Sequence, residues 1–176
     1  MTDGMLMCKV KEGDLSKAAV LFERYHRKIY HFLGKMSGDY HTAEDLTQTV
    51  FEKLIHNRQR FDEDQNFEGW IYKIARNTFI DHYHAGKKLS VSQVDPAVMH
   101  DAAEEASHDE EMDARLQVAL GRLSESDREI LILTRFQKLK YIEVASMLST
   151  TEANVKIKVF RAIDKLRTLF FQTENI

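Results

Sequence analysis

A single proline occurs in the 176 residues of this chain, at position 96, together with only seven glycines. Because proline and glycine most often end helices and form tight turns, so few of them favour helices over a many-stranded fold. Apolar residues make up 43% of the chain, which is the usual proportion for a protein with a packed core. The sequence therefore predicts an all-α protein.

The proline lies within the one strongly acidic segment of the chain. Residues 89–115 carry eight acidic side chains and one basic side chain, a net charge of −7, whereas the residues before and after them carry +1 and +3. An acidic stretch between two nearly neutral modules is typical of a linker. We therefore predict a helical domain at 1–88, an acidic flexible linker at 89–115 and a second helical domain at 116–176.

The composition also favours a cytoplasmic protein without membrane insertion. The single cysteine, Cys8, has no partner for an internal disulfide, which fits a reducing compartment. The N-terminal residues MTDGMLMCKV do not resemble a signal peptide. No run approaches the roughly 18 apolar residues of a membrane-spanning helix.

Apolar periodicity predicts three helices in the first domain, from Leu15 to about Met36, from Thr42 to about Asn57, and from Gly69 to about Ala85. Thr42 resembles an N-cap because an acid follows three residues later. In the second of these helices, Asp45, Gln48 and Glu52 share the face opposite the apolar stripe. Taken alone, this spacing indicates a solvated polar surface.

The third predicted helix combines cations with aromatic rings. Lys73, Arg76 and Asn77 share one side, Tyr72 and Tyr83 lie beside them, and Lys87 and Lys88 follow. Cations that meet phosphates and rings that stack on bases suit single-stranded nucleic acid. The alternative is that the aromatic residues belong to the core. His82 and His84 point in different directions on a helix, so no metal site is predicted.

The second domain has the pattern of a helix-turn-helix. Ser124 resembles the N-cap of one helix, and a short helix over 141–148 is followed by the turn Ser149-Thr150-Thr151. In the next helix the apolar stripe is Val155, Val159, Ala162 and Leu166. Ala153, Asn154, Ile157 and Arg161 lie opposite, flanked by Lys156 and Lys158. Such a face matches a DNA recognition helix, although basic surface helices without this function are commoner.

Three motifs together resemble the bacterial sigma-70 family, and the length resembles its extracytoplasmic-function group. They are AEDLTQTVFEKL, FEGWIYKIARNTFIDHY and LSESDREILILTRFQKLKYIEVASMLSTTEANVKIKVFRAIDKLR, in the family's order and spacing. The resemblance implies that the first domain binds the clamp helices of the largest subunit of core RNA polymerase and melts and reads the minus-ten element. The second domain would hold the flap tip and read the minus-thirty-five element.

The resemblance also implies partners and site residues. The partners are core polymerase and promoter DNA, with an anti-sigma factor as a usual further partner in this group; no catalysis, cofactor or metal is implied. The implied polymerase contacts are Asp45, Leu46, Gln48, Phe51 and Glu52. The implied minus-ten contacts are Asn66, Tyr72, Lys73, Arg76, Asn77, Lys87 and Lys88. The implied minus-thirty-five contacts are Thr151, Glu152, Asn154, Lys156, Ile157, Lys158 and Arg161.

The chain departs from the family pattern at several points. Ser149 stands where glycine is frequent, so we expect slight backbone strain. Ile157 replaces a small polar residue and is compatible with a contact to thymine methyls or with a protein contact. The loop DEDQNF, where related factors capture a flipped base, is acidic here. The acidic linker fits either a nucleic-acid mimic inside the polymerase channels or a solvated tether.

Two other functions compete with this interpretation. The first is a helix-turn-helix regulator with an N-terminal sensor or partner-binding domain, which would have no need of the AEDLTQ and WIYKIARN motifs together. The second is a metal- or phosphate-handling enzyme that uses the eight histidines and the carboxylates. Neither clustered ligand spacing nor a glycine-rich loop supports the enzyme.

Overall fold

The computed structural model describes residues 1–89 and 108–172, without the side chains of residues 87–89 and 108. The chain divides into two compact units, Met1–Lys87 and Lys88–Ile176. Every regular element within the described ranges is helical. The prediction of an all-α protein with two helical domains is therefore confirmed.

The first unit contains four helices: α1 (Asp3–Lys11), α2 (Ser16–Ser37), α3 (Tyr40–His56) and α4 (Phe67–Leu89). A single 3-10 turn, Arg58–Arg60, follows α3. The sequence did not predict α1, and it placed the end of α4 four residues too early. No glycine or proline occurs between Gly86 and the end of α4, so nothing in the local sequence stops the helix there.

The corner between α2 and α3 depends on Gly38 and Asp39. Gly38 takes a left-handed φ of 72° that favours glycine, and its N–H donates to the Gly34 carbonyl at 2.8 Å. Asp39 caps α3 by accepting hydrogen bonds from the His41 N–H at 3.0 Å and the Thr42 hydroxyl at 2.5 Å. The prediction that Thr42 is the N-cap was wrong, because the Asp39 carboxylate already fills that position one turn earlier.

The core of the first unit lies between α2, α3 and α4. Leu21, Ile29 and Leu33 of α2 are fully buried, and α3 packs along them. The Phe32 ring meets the Tyr72 ring of α4 edge-on, with centroids 5.6 Å apart. Burial of this kind stabilises by roughly 1.5–3 kcal/mol for each large apolar side chain. The amphipathic helices therefore leave their polar faces outward.

The second unit is arranged around α8 (Glu152–Gln172), which packs against α5 (His108–Arg122), α6 (Glu125–Leu131) and α7 (Tyr141–Met147). A π-helical turn, Ile132–Phe136, follows α6. Of the predicted linker, residues 90–107 lie outside the described residues. The part at 108–115 is not a flexible linker, since it forms the first turns of α5.

The join between α5 and α6 is held by Arg128. Its guanidinium donates to the carbonyl oxygens of Leu120 at 3.0 Å, Gly121 at 3.2 Å and Leu123 at 3.3 Å. These carbonyls lie at the C-terminal end of α5, where backbone carbonyls lack the full set of helical partners, and the Leu120 carbonyl also accepts the Leu123 N–H at 3.2 Å. Ser124 then caps α6 by accepting the Asp127 N–H at 3.2 Å, which confirms the predicted helix start.

The turn between α7 and α8 has the hydrogen bonds of a Schellman motif. The Thr150 N–H donates to the Ala145 carbonyl at 2.9 Å, and the Ser149 N–H donates to the Ser146 carbonyl at 3.3 Å. Ser149 has a φ of 54°, which confirms the expected strain where glycine is frequent. Thr151 Oγ1 accepts the Asn154 N–H at 3.2 Å, so the predicted cap of α8 is also confirmed.

Candidate functional site

The exposed face of α3 carries Asp45, Gln48 and Glu52, which we call the acidic row. All three side chains are exposed, and Gln48 Nε2 donates to Glu52 Oε1 at 3.1 Å. On the opposite side Val50 and Leu54 are buried against the core. One turn of helix separates each member from the next, so α3 presents carboxylate and amide groups in a line.

Two residues predicted to share the polymerase contact are not on this face. Leu46 and Phe51 are only 6% and 8% exposed, so they hold α3 against the core and offer little surface to a partner. In contrast, the Phe22 ring of α2 is 43% exposed, meets the Phe51 ring at 4.8 Å and stacks on His26 at 4.9 Å. Phe22 shares the helical period of the buried residues Ala18, Leu21 and Tyr25, but it lies at the edge of their stripe and not in the core.

The outer side of α4 carries Lys73, Arg76 and Asn77, which we call the α4 face. Lys73 and Asn77 are exposed, and Arg76 is half-buried. The face therefore combines two cations with an amide on consecutive turns of one rigid helix. The predicted contacts Lys87 and Lys88 have side chains outside the described residues.

Tyr72 does not belong to the α4 face, contrary to the prediction. Its side chain is fully buried, and burial raises the pKa of its hydroxyl. The neighbouring positions Ile71, Ala75 and Phe79 are buried as well, so Tyr72 lies on the apolar side of α4. A ring in this environment has no exposed surface on which a base stacks. The exposed ring on this helix is Tyr83, which is 38% exposed and stacks on Phe79 at 5.9 Å.

The loop formed by residues 62–66 leads directly into α4. All five residues are exposed. Asn66, one of the predicted site residues, accepts the Gly69 N–H through Oδ1 at 3.2 Å and so caps the helix. The loop therefore ends at the N-terminus of the helix that carries the α4 face.

The exposed side of α8 carries Asn154, Ile157 and Arg161, which we call the reading face. Val155 and Val159 are buried on the other side, while Lys156 and Lys158 are exposed beside the face. The predicted contacts Thr151 and Glu152 are exposed at the start of the helix.

Two details of the reading face were not predicted. The Phe160 ring, 77% exposed, lies three residues after Ile157 and extends the apolar part of this face. Its i, i+3 spacing from Ile157 is the signal that sequence analysis missed. In addition, Asn154 Nδ2 donates to Thr150 Oγ1 at 3.2 Å, which positions the amide at the helix N-terminus.

Metal ligands and membrane spans are the remaining features to consider in the described residues, 1–89 and 108–172. In these ranges no group of three or more histidine, cysteine, aspartate or glutamate side chains is arranged to hold a metal ion. Within the same ranges no helix is both long and apolar enough to cross a lipid bilayer.

Both units of the chain match known protein families. Residues 21–88 match the model of sigma-70 region 2, and residues 113–166 match that of sigma-70 region 4. The chain belongs to the sigma-70 family. Its relatives include RNA polymerase sigma factor SigZ of Bacillus subtilis, which is 32% identical over 85% of this chain and 84% of that protein. The ECF RNA polymerase sigma factor SigM of the same organism is 30% identical over 88% and 96% of the two chains.

Solved structures show the same fold at lower identity. CnrH, solved in complex with the cytosolic domain of CnrY, is 22% identical with a TM-score of 0.75 and covers 97% of each chain. Sigma factor RpoE of Bartonella quintana, solved with the anti-sigma factor NepR, is 22% identical with a TM-score of 0.71 over 86% of this chain and 94% of that one. The matches to regions 2 and 4, together with the relatives SigZ and SigM, identify this sigma-70 chain as a factor of the extracytoplasmic-function group that binds core RNA polymerase and directs it to promoters.

Proposed function

We propose that each of the three exposed surfaces carries one step of promoter-directed initiation. The acidic row binds the clamp helices of core polymerase, the α4 face binds the unpaired minus-ten strand, and the reading face binds the minus-thirty-five duplex. One observation supports this division above all others: the polar residues that match the family motifs are exposed on helices whose opposite sides are buried. These polar side chains therefore lie outside the core, where a binding partner can reach them.

The α4 face suits a melted strand more than a duplex. Lys73 and Arg76 supply charge for phosphates, and Asn77 supplies an amide that donates to and accepts from a base edge. The adjoining loop at 62–66 offers further acceptors, since three of its five residues are acidic. Carboxylates so near a phosphate chain favour contacts to base amino groups rather than to the backbone.

The reading face suits the major groove of a duplex. Asn154 lies at the helix N-terminus, where recognition helices meet base edges, and Arg161 lies two turns further on. Lys156 and Lys158 flank them, in the position of phosphate contacts. We assign the apolar surface of Ile157 and Phe160 to thymine methyl groups, which are the apolar features that this groove offers.

Further partners follow from the family and not from a contact in this structure. We propose the polymerase flap tip as the partner of the second unit and an anti-sigma factor as a regulator, in line with the NepR complex of RpoE. We also propose that the protein acts in the cytoplasm, where polymerase and promoter DNA meet, and that it has no catalysis of its own.

The test is reconstitution of initiation from purified components. Core polymerase with this chain should start transcripts at discrete sites on genomic DNA fragments, whereas core polymerase alone should not. The competing helix-turn-helix regulator would bind a duplex site without polymerase. Specific footprints by the chain alone, with no initiation after core enzyme is added, would therefore favour the regulator.

A further inference from the structure

The N-terminal helix α1 lies outside the segment, residues 21–88, that matches the region 2 model. Its apolar side is buried against α2. At its first turn, Asp3 accepts hydrogen bonds from Arg24 Nη1 and from the Tyr25 hydroxyl, both at 2.6 Å. Because α1 is held along its length by α2, its last turn is a fixed point for any segment that binds to it.

That last turn exchanges two hydrogen bonds with the segment after α3. Lys11 Nζ donates to the Phe61 carbonyl oxygen at 2.9 Å, and Gln59 Nε2 donates to the Lys11 carbonyl oxygen at 2.9 Å. The Lys11 carbonyl is among the last of its helix and has no partner inside α1. The bond from the ammonium group is charge-assisted and therefore stronger than a neutral one.

Phe61 connects the end of α1 to the loop at 62–66, because it accepts the hydrogen bond from Lys11 and directly precedes the loop. The Phe61 ring is 1% exposed and packs edge-on against Trp70 at 5.1 Å and Phe67 at 6.1 Å. The five exposed loop residues thus run between two buried rings, Phe61 before them and Phe67 after them. The loop also passes close to α1: burial, and after it the charge of Glu63, raises the pKa of the Cys8 thiol.

We infer that α1 is a positioning element for reading the unpaired minus-ten strand, and that Lys11 and Gln59 set the place of the loop at 62–66 beside the α4 face. The loop's polar groups then meet a base edge at a fixed distance from the phosphate-binding cations. Positioning is needed because a read-out by hydrogen bonds fails when the groups are displaced by about 1 Å. This inference rests on the proposed role of the α4 face.

The experiment is a selection by holoenzyme from heteroduplex templates whose unpaired non-template strand is randomised. Holoenzymes with the wild-type chain, Lys11→Met and Gln59→Met are compared by sequencing the bound templates. We expect both variants to lose base preference at the same one or two adjacent positions and to keep it elsewhere. Affinity for the selected template should fall roughly two- to tenfold, the effect of losing one hydrogen bond. Lys11→Arg, which keeps a cationic donor, should restore the preference.

Lys9→Met is the matched control. Lys9 is on the same helix and pairs with Glu12 at 2.9 Å, so the control removes the same charge without touching the loop. It should keep every preference. A direct phosphate contact by Lys11 would instead lower the slope of log affinity against log salt by about one, whereas a positioning role leaves the slope unchanged.

The outcomes separate this inference from the function on which it rests. A wild-type holoenzyme without any preference in the unpaired strand would contradict the role of the α4 face, and the inference with it. A wild-type preference that Lys11→Met leaves intact would overturn only the inference. An equal loss at every position, or a lowered salt slope, would also overturn it, since the first is a folding defect and the second a backbone contact.

Discussion

Lys165 Nζ lies 2.6 Å from the Asp127 carboxylate, so α8, which carries the reading face, is tied to the first turn of α6. The Asp127 side chain is 17% exposed, while that of Lys165 is 59% exposed. Burial raises the pKa of Asp127, but the hydrogen bonds from Lys165 and Ser124 outweigh it, and the pKa lies below its ordinary value. The ion pair therefore favours the folded state of the second unit.

Replacing Asp127 with asparagine should destabilise the second unit by about 0.5–1.5 kcal/mol, since the partner is largely solvated. Folding lowers the pKa of Asp127. The carboxylate therefore contributes fully to the free energy of unfolding above about pH 4, which is its pKa in the unfolded chain, and this contribution is lost as the pH falls through its pKa in the folded state. Urea unfolding of the full chain followed by circular dichroism checks this. Asp164→Asn, at an exposed position of α8, is the control. Equal stability of the wild type and Asp127→Asn at pH 7 would contradict the prediction.

Ser149→Gly should stabilise the helix-turn-helix by about 0.5–1 kcal/mol. Glycine takes the left-handed φ of 54° without the steric cost that serine bears, and this gain exceeds the added entropy of the unfolded chain. Ser146→Gly, the same change inside α7, should destabilise instead. The only tryptophan, Trp70, is in the first unit, so the unfolding transition that its fluorescence reports should not shift in either variant. A shift of the Trp70 transition would mean that the two units unfold together.

Lys73→Ala and Asn77→Ala should impair promoter opening. Both side chains are exposed on the α4 face, which we propose binds the unpaired strand during melting. Permanganate reactivity of thymines near the start site should fall on a duplex promoter, and the defect should shrink on a pre-melted template. Lys17→Ala, at the start of α2, should leave reactivity unchanged. Equal defects on both templates would assign these residues to the fold or to the core enzyme.

Asn154→Ala and Arg161→Ala should each change base preference within the minus-thirty-five element. Loss of a base contact costs about 1–3 kcal/mol at one position. Lys156→Ala and Lys158→Ala should instead weaken all sequences alike and reduce the salt slope by about one each. Binding of duplex variants by holoenzyme at several salt concentrations separates the two effects. Altered preference in Lys158→Ala together with uniform weakening in Asn154→Ala would reverse these roles.

The sequence predicted most helices because their apolar residues recur with a regular period, and it predicted the caps at Ser124 and Thr151 because those bonds are local. It did not settle the burial of residues at the border between two helix faces. Tyr72 and Phe22 both occupy such borders, and only the packing of α2 against α3 and α4 decides that Tyr72 is buried and Phe22 is exposed. The hydrogen bonds between Lys11 and residues 59–61 join positions about fifty residues apart, which no local pattern reveals.

The most direct test of the account is an equilibrium titration of core RNA polymerase with the full-length chain, labelled at its C-terminus, in the absence of DNA. The wild-type chain should saturate the core enzyme at one molecule each. Asp45→Lys should weaken binding roughly ten- to hundredfold, because it reverses a charge in the acidic row. Asp164→Lys, an equal reversal on the exposed side of α8, should bind as the wild type does. Undiminished binding by Asp45→Lys, or no saturable binding by the wild type, would contradict the assignment of α3 as the surface that joins this sigma factor to polymerase.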